Sequence, residues 1–139
     1  RGLLPGLPQV KNILFNTMRT VRLNPSPIST KKWRVTLHDG TTVDFGARGY
    51  DDYTTHKNSL RMRNYVRRHG GIISKKIEKE TDASKVHLGM LSVDKSTREF
   101  WGTRGIKTPG FWSRWLLWSQ PSLGKAITFV ERRFNLRIT

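Results

Sequence analysis

Three tryptophans and an arginine lie close together near the carboxyl-terminal end of the sequence. The segment GFWSRWLLWSQPS, residues 110–122, places Trp112, Trp115 and Trp118 within seven positions, with Arg114 among them. Such rings can stack on nucleic-acid bases, lie at a membrane surface, or pack in a core or interface. Eight helical residues rise only about 12 Å, too little to cross a bilayer. Base stacking normally uses exposed rings in a basic groove, but Arg114 is the one basic residue in this run, so we expect core or interface packing.

A basic helix is predicted over residues 55–69, with its end at the Gly70-Gly71 pair. At 100° per residue, one third of its circumference carries Met62, Tyr65, Val66 and His69. The rest of the circumference carries the cations Lys57, Arg61, Arg63, Arg67 and Arg68. Further basic candidates are Arg114, Arg132 and Arg133. We expect these cations to dock on an acidic protein; the alternative is contact with DNA phosphates, which would make binding strongly salt-dependent.

Asp51, Asp52 and His56 combine two side-chain types that can bind a metal ion. An acidic residue just before a helix also accepts backbone N–H bonds and complements the helix dipole, and we expect this capping role instead. The other histidines stand alone at wide spacings and are expected to be structural or surface residues. They are His38, His69 and His87. The sequence therefore predicts no metal site.

Two candidate catalytic features lack the neighbouring motifs that the corresponding enzymes require. Asp44, Phe45 and Gly46 spell the magnesium-binding tripeptide of protein kinases, but neither a glycine-rich nucleotide loop nor a catalytic loop accompanies them. We interpret this tripeptide as a turn after a strand. Ser113 lies outside any nucleophile-elbow pattern. The sequence therefore predicts no catalytic residue and no cofactor.

Charge is the strongest bulk property of the chain. Its 139 residues include 26 Lys and Arg against 10 Asp and Glu, a net charge of +16, and both halves of the chain are basic. This balance predicts attraction to polyanions or acidic protein surfaces. The absence of cysteine excludes disulfides and cysteine nucleophiles, and the sequence has no apolar run of the length a membrane-spanning helix needs.

The clearest local prediction is a β-hairpin over residues 31–49. Its two β-prone runs are joined by Asp39 and Gly40, a pair that favours a two-residue turn. Alternation places the apolar residues of each run on one face: Trp33, Val35 and Leu37 on the first, Val43 and Phe45 on the second. This face needs a covering element, because an isolated hairpin is only marginally stable.

The remaining segments complete an α+β fold. Residues 1–31 contain four prolines and no acidic residue, and they are predicted to form an extended N-terminal arm ahead of a domain at 32–139. The apolar VHLGMLSV run, residues 86–93, is a candidate third strand. Residues 111–118 and an amphipathic stripe from Leu123 to Phe134 form a C-terminal helical pair, with Pro121 in the first turn of the second helix. We therefore expect a small single domain: a short antiparallel sheet covered by the basic helix and this pair.

Two long motifs in this chain resemble those of a small family of uncharacterised proteins. They are VDFGARGYDDYTTHKNSLRMRNYVRRH at 43–69 and WGTRGIKTPGFWSRWLLWSQPSLGKAITFVERRF at 101–134. The family is encoded by large icosahedral eukaryotic DNA viruses, the nucleocytoplasmic group, and it pairs an F-G-x-x-G-Y-x-D-[YF]-T-x-H-[KR] segment with a G-F-W-S-R-W-x-L-W segment. The resemblance covers about residues 33–134. The tract between Gly70 and Phe100 is longer and more polar than in the family.

The resemblance implies a virion component without a catalytic role. With the basic composition, it predicts a minor capsid protein that cements major capsid subunits, located in the capsid shell on its inner side and in the host cytoplasm during assembly. The expected partners are the major capsid protein and other minor capsid proteins, with DNA or an inner membrane surface as further anionic partners, and no small-molecule substrate. The alternatives are a basic protein that tethers or condenses the genome, and an enzyme with an unrecognised site.

Overall fold

A computed structural model describes residues 19–139. The strands are β1 (Arg19–Pro25), β2 (Lys31–Thr36), β3 (Thr42–Ala47) and β4 (Leu136–Ile138). The helices are α1 (Tyr53–His56), α2 (Ser59–Arg68), α3 (Lys75–Lys79), α4 (Ala83–Met90), α5 (Pro109–Trp112) and α6 (Leu123–Phe134). A 3₁₀ turn spans Thr103–Gly105, and a π-helical turn, Ser113–Leu117, continues α5. The predicted α+β class is confirmed. No helix within these residues is long and apolar enough to cross a membrane.

The four strands form one sheet in the order β3-β2-β1-β4. The predicted hairpin is confirmed, since β2 and β3 are antiparallel with Trp33 opposite Phe45 and Val35 opposite Val43. Val35 and Phe45 are completely buried, as expected for the covered face of a sheet. β1 pairs antiparallel with β2, and β4 pairs parallel with β1. The hairpin is thus the outer half of a larger sheet.

The hairpin turn differs from the two-residue turn expected at Asp39 and Gly40. Leu37 N–H donates to the carbonyl of Thr41 at 2.8 Å, and Gly40 N–H donates back to the carbonyl of Leu37 at 2.9 Å. These bonds close a three-residue loop. Gly40 takes φ +88° there, which is the left-handed position that such loops require.

The sheet begins earlier than the domain boundary drawn at residue 31. β1 occupies residues 19–25, and its Val21 is 1% exposed. The extended sequence around Pro25 and Pro27 is therefore a strand end and the turn into β2, since proline is tolerated where a strand ends. Residues 19–31 belong to the domain, whereas the rest of the arm predicted for residues 1–31, residues 1–18, lies outside the described residues.

The predicted basic helix is interrupted near its start. Lys57 takes φ +58° and ends α1, and the side chain of Asn58 caps α2 by accepting the N–H groups of Leu60 and Arg61. Asparagine is among the residues best suited to this capping position, because its side-chain oxygen reaches the first free N–H groups. The expectation of one helix over 55–69 is therefore wrong at its amino end; at the other end, Gly70 at φ +82° stops it as predicted.

The VHLGMLSV run is helical, so the predicted third strand at this position is wrong. It lies largely in α4, which begins after Asp82, whose carboxylate accepts the N–H of Lys85. Val86 and Met90 are completely buried, and their separation of four residues is a helical spacing. The strands that enlarge the sheet are instead β1 and the short β4.

The C-terminal helical pair closes the core over the sheet. Trp101, Trp112 and Trp115 are almost completely buried between the pair and the strands. Ser122 caps α6, which begins at Leu123, so the prediction that Pro121 lies in the first turn of this helix is wrong. Ala126 and Val130 bury the predicted apolar stripe.

Candidate functional site

Arg114 is fully buried, although the sequence marked it as a basic surface candidate. Its guanidinium donates to three main-chain carbonyls: that of Trp118 at 2.6 Å, that of Met90 at 2.6 Å and that of Val93 at 3.1 Å. The carbonyls of Met90 and Trp118 lie at the carboxyl ends of α4 and the π-helical turn, where main-chain carbonyls carry partial negative charge. Two helix ends therefore supply the negative counterpart for this cation.

Two indole rings enclose the same guanidinium. Its central carbon lies 4.5 Å from the ring centre of Trp115 and 5.6 Å from that of Trp101, distances at which aromatic rings attract a cation. Burial lowers the pKa of Arg114 from its ordinary value. Its assignment as a polyanion-binding candidate is wrong, because the end of α4 and the segment up to Val93 pack over this side chain and bury it.

The tryptophans of the segment divide into two groups. Trp112 and Trp115 have no exposed surface, and their indole N–H groups donate to the carbonyls of Ile106 and Trp101, each at 2.7 Å. Trp118 is partly exposed and stacks face to face on Tyr65, with ring centres 4.3 Å apart. Stacking on nucleic-acid bases is closed to the first two rings, because it requires an exposed ring face.

The five cations of the predicted basic face do not form one surface. Arg63 turns into the protein and donates to the carbonyls of Ile77 and Glu80 at 2.7 and 2.8 Å, and Arg67 pairs with Glu78. Both contacts come from the tract after Gly70, which packs on α2. Sequence reasoning missed them because that tract had no assigned structure. The remaining cations, Lys57, Arg61 and Arg68, are exposed.

Arg132 and Arg133 occupy the end of α6 and differ in their contacts. Arg133 pairs with Asp94 at 2.8 Å and lies 4.9 Å from the ring centre of Trp115. Arg132 is exposed. The helix therefore presents one anchored and one solvated cation at its carboxyl end.

The capping interpretation is confirmed for Asp52. It caps α1 by accepting the N–H of Thr54, and its other oxygen accepts the ammonium of Lys32 at 2.6 Å. His56 accepts the N–H of Asn58 through Nδ1 at 2.9 Å, and burial lowers its pKa. Within residues 19–139, no group of three or more His, Asp and Glu side chains could hold a metal ion.

The kinase-like tripeptide lies inside β3, so its interpretation as a turn after the strand is wrong. Asp44 faces Arg34 across the hairpin and forms a two-bond pair with it, at 2.9 and 3.0 Å, while Ser26 donates to the same carboxylate at 2.7 Å. These contacts hold the pKa of Asp44 below its ordinary value. The carboxylate is a cross-strand partner, which explains why an acidic residue is tolerated inside a strand.

Residues of both long motifs line one cleft of about 310 Å³. The first motif contributes residues at 46–47 and 50–52 together with His69, and the second contributes Gly110, Ser113 and Trp118. In this cleft, the carboxylate of Glu99 accepts two hydrogen bonds, one from Nδ1–H of His69 at 2.8 Å and one from the indole N–H of Trp101 at 2.8 Å. Sequence reasoning missed this pair because its members are 30 residues apart and Glu99 belongs to neither motif.

Glycines make this arrangement possible. A side chain at Gly110 would place its Cβ 2.6 Å from Oε1 of Glu99, closer than such atoms can approach. A side chain at Gly46 would meet Leu117 at 2.8 Å, and this glycine also has φ +80°. The two motif glycines therefore have a steric role, which is to let the strand and the helix approach the centre of the cleft.

Polar side chains in this cleft pair with one another, Lys32 with Asp52 and His69 with Glu99. An acidic group that orients a histidine is one component of general base catalysis. In the described part of the chain, the hydrogen-bond partner of the His69 ring is Glu99. The carboxylates of Asp52 and Glu99 are already paired with cleft residues. These two pairs join segments that are distant in the sequence.

Comparison with known proteins gives one partial match. A family of unknown function, DUF5754, matches residues 21–69, about a third of the chain. The matched stretch runs from β1 to the end of α2, so it includes residues that the sequence analysis had assigned to the arm. No curated protein and no solved structure matches the chain.

Proposed function

We propose that this protein is a non-enzymatic structural component of a virion, a minor capsid protein that cements major capsid subunits of a large icosahedral DNA virus. The proposal rests on the excess of positively charged over negatively charged residues in the domain. Residues 1–18 hold only Arg1 and Lys11 among the charged residues, so residues 19–139 carry 24 of the 26 cations and all 10 acids. With Arg114 buried, the excess cations lie on or near the surface and favour an acidic partner.

The rigid interior supports a docking role. Buried rings and the carbonyl-bound Arg114 join α4, the π-helical turn and the core. A protein whose surface is held in place by such a core loses little conformational freedom on binding, so more of the contact energy appears as affinity. The nature of the partner as a capsid subunit rests on the resemblance of the two long motifs to the viral family.

Genome tethering is the second candidate, and one observation favours it. The short helix α3 presents Lys75, Lys76 and Lys79, all of them exposed. Clustered lysines of this kind neutralise phosphates without reading sequence. The two candidates differ in what releases the protein, since a phosphate-bound protein leaves with the nucleic acid and with salt, whereas a cement protein stays with the shell.

Fractionation of purified particles tests the proposal. Particles of the virus that encodes the chain are opened gently, digested with nuclease and washed at high salt, and the protein is followed by quantitative mass spectrometry. Retention with the empty shell, at a fixed ratio to the major capsid protein, is the expected result. Release with the digested genome would overturn the cement role and support tethering. Absence from particles would overturn both.

A further inference from the structure

A groove of about 640 Å³ runs along the outer face of α6. Its lining on this helix consists of Gly124, Lys125, Thr128, Phe129, Arg132 and Arg133. These residues repeat at intervals of four, which places them on one face of the helix. The groove is separate from the cleft between the two motifs.

The charge of this face has one sign. Lys125 and Arg132 are exposed, and within residues 19–139 neither forms an ion pair with a carboxylate. The single acidic residue of α6, Glu131, is engaged elsewhere, since its carboxylate accepts the N–H of Ile138 at 2.9 Å. Asp94 neutralises Arg133 in part. The groove therefore complements an acidic ligand.

The centre of the groove is apolar and held in place. Phe129 is half-buried and packs on Trp115, with ring centres 5.7 Å apart. The guanidinium of Arg133 lies 6.0 Å from the ring of Phe129 and is fixed by Asp94. A Cβ added at Gly124 would have no atom within 4 Å, so a partner can approach the helix backbone closely there.

The spacing along the helix defines the partner. Lys125 and Arg132 are seven residues apart, about 10 Å along the axis, with Phe129 between them. We propose that this groove binds an acidic protein segment that carries two carboxylates about two helical turns apart and an apolar side chain between them. The inference rests on the proposed function and specifies the partner chemistry of one docking surface. A protein segment is favoured over nucleic acid because a stacking base needs an open ring face, whereas the half-buried ring of Phe129, flanked by Trp115 and Arg133, leaves room only for a smaller apolar contact.

The test uses the full chain and a synthetic helical peptide with two Glu residues two turns apart and Leu between them. Binding is measured at low salt by fluorescence anisotropy, and the contacted residues are mapped by amide chemical shifts. We expect shifts centred on α6, and a loss of affinity of about tenfold or more in the variant K125E/R132E, since the charge reversal turns two attractions into repulsions. The matched control K75E/K76E makes the same change of charge on α3 and should stay within about twofold.

Two further measurements distinguish the loss of a direct contact from a loss of folding in the variants. A peptide with Lys in place of Glu should bind K125E/R132E better than the unmodified protein, which only a direct contact explains. Phe129→Ala should weaken binding of the Leu peptide while leaving a peptide with Ser in place of Leu unchanged. Equal loss in the α3 control, absence of shifts on α6, or tighter binding of a thymidine oligonucleotide to the same face would overturn the inference. Because these assays need no particles, failure of the virion assignment would be seen separately in the fractionation.

Discussion

The Nη2 atom of Arg114 lies 2.6 Å from the main-chain carbonyl oxygen of Met90. This contact joins the π-helical turn to the carboxyl end of α4, two elements that are far apart in the sequence. The cation is neutralised by the ends of helices and by aromatic rings, and its hydrogen bonds involve main-chain carbonyls. The stability of the region therefore depends on one side chain.

Replacing Arg114 by Met should destabilise the protein by about 2 kcal/mol or more, because the carbonyls of Val93 and Trp118 lose the donor that Arg114 supplies and each such loss costs about 1–3 kcal/mol. Arg114→Lys should also destabilise it, since one ammonium cannot reproduce the forked contacts of guanidinium. Urea unfolding measures both changes. The exposed Arg132→Met is the control and should change stability by less than about 0.5 kcal/mol. Near-native stability of Arg114→Met would contradict the structural role.

The tryptophans should differ in their contributions to stability. Trp115→Ala should cost about 3–5 kcal/mol, because it removes a completely buried ring. Trp118→Ala removes a partly exposed ring stacked on Tyr65 and should cost less. Thermal unfolding followed by circular dichroism compares the two variants. An equal or larger effect at Trp118 would mean that Trp115 is not the core element described here.

The Asp44 and Arg34 pair should make stability depend on acid. Because its folded pKa lies below its ordinary value, the carboxylate stabilises the fold above about pH 4, the usual range of an unfolded aspartate, and this contribution is lost as the pH falls through the lower folded value. The difference in unfolding free energy between the unmodified protein and Asp44→Asn should therefore shrink below pH 4. A difference that stays constant across that range would show that the charge of Asp44 does not contribute.

The central cleft should be sensitive to the size of residue 110. Gly110→Ala places a Cβ where Glu99 now lies, so the carboxylate must move away from His69 and Trp101. We expect a loss of about 1–3 kcal/mol and a changed NMR signal for the indole N–H of Trp101. Gly124→Ala is the matched control, because its Cβ would have open space and alanine favours the helix by up to about 1 kcal/mol. An unchanged Trp101 signal in Gly110→Ala would contradict the close packing.

Local patterns account for the parts of the fold that were predicted. The alternation around Val35 and Phe45, the stop at Gly70 and the capping carboxylate of Asp52 each depend on a few neighbouring residues, and the structure has each of them. The amphipathic stripe of α6 was predictable for the same reason, since periodicity alone reveals a helix with one buried face. The basic composition, likewise, is a property of the sequence.

Contacts between distant segments required the tertiary structure. Whether Arg63 is a surface cation or an internal donor depends on Ile77 and Glu80, and whether Arg114 is exposed depends on the packing of Met90 and Val93 over it. The pairing of β1 with β4 joins segments more than 100 residues apart. The sequence by itself determined the local elements and the excess of positive charge, because these follow from neighbouring side chains. Only the tertiary structure decided which cations remain available to a partner, because burial and ion pairing depend on what packs against each side chain.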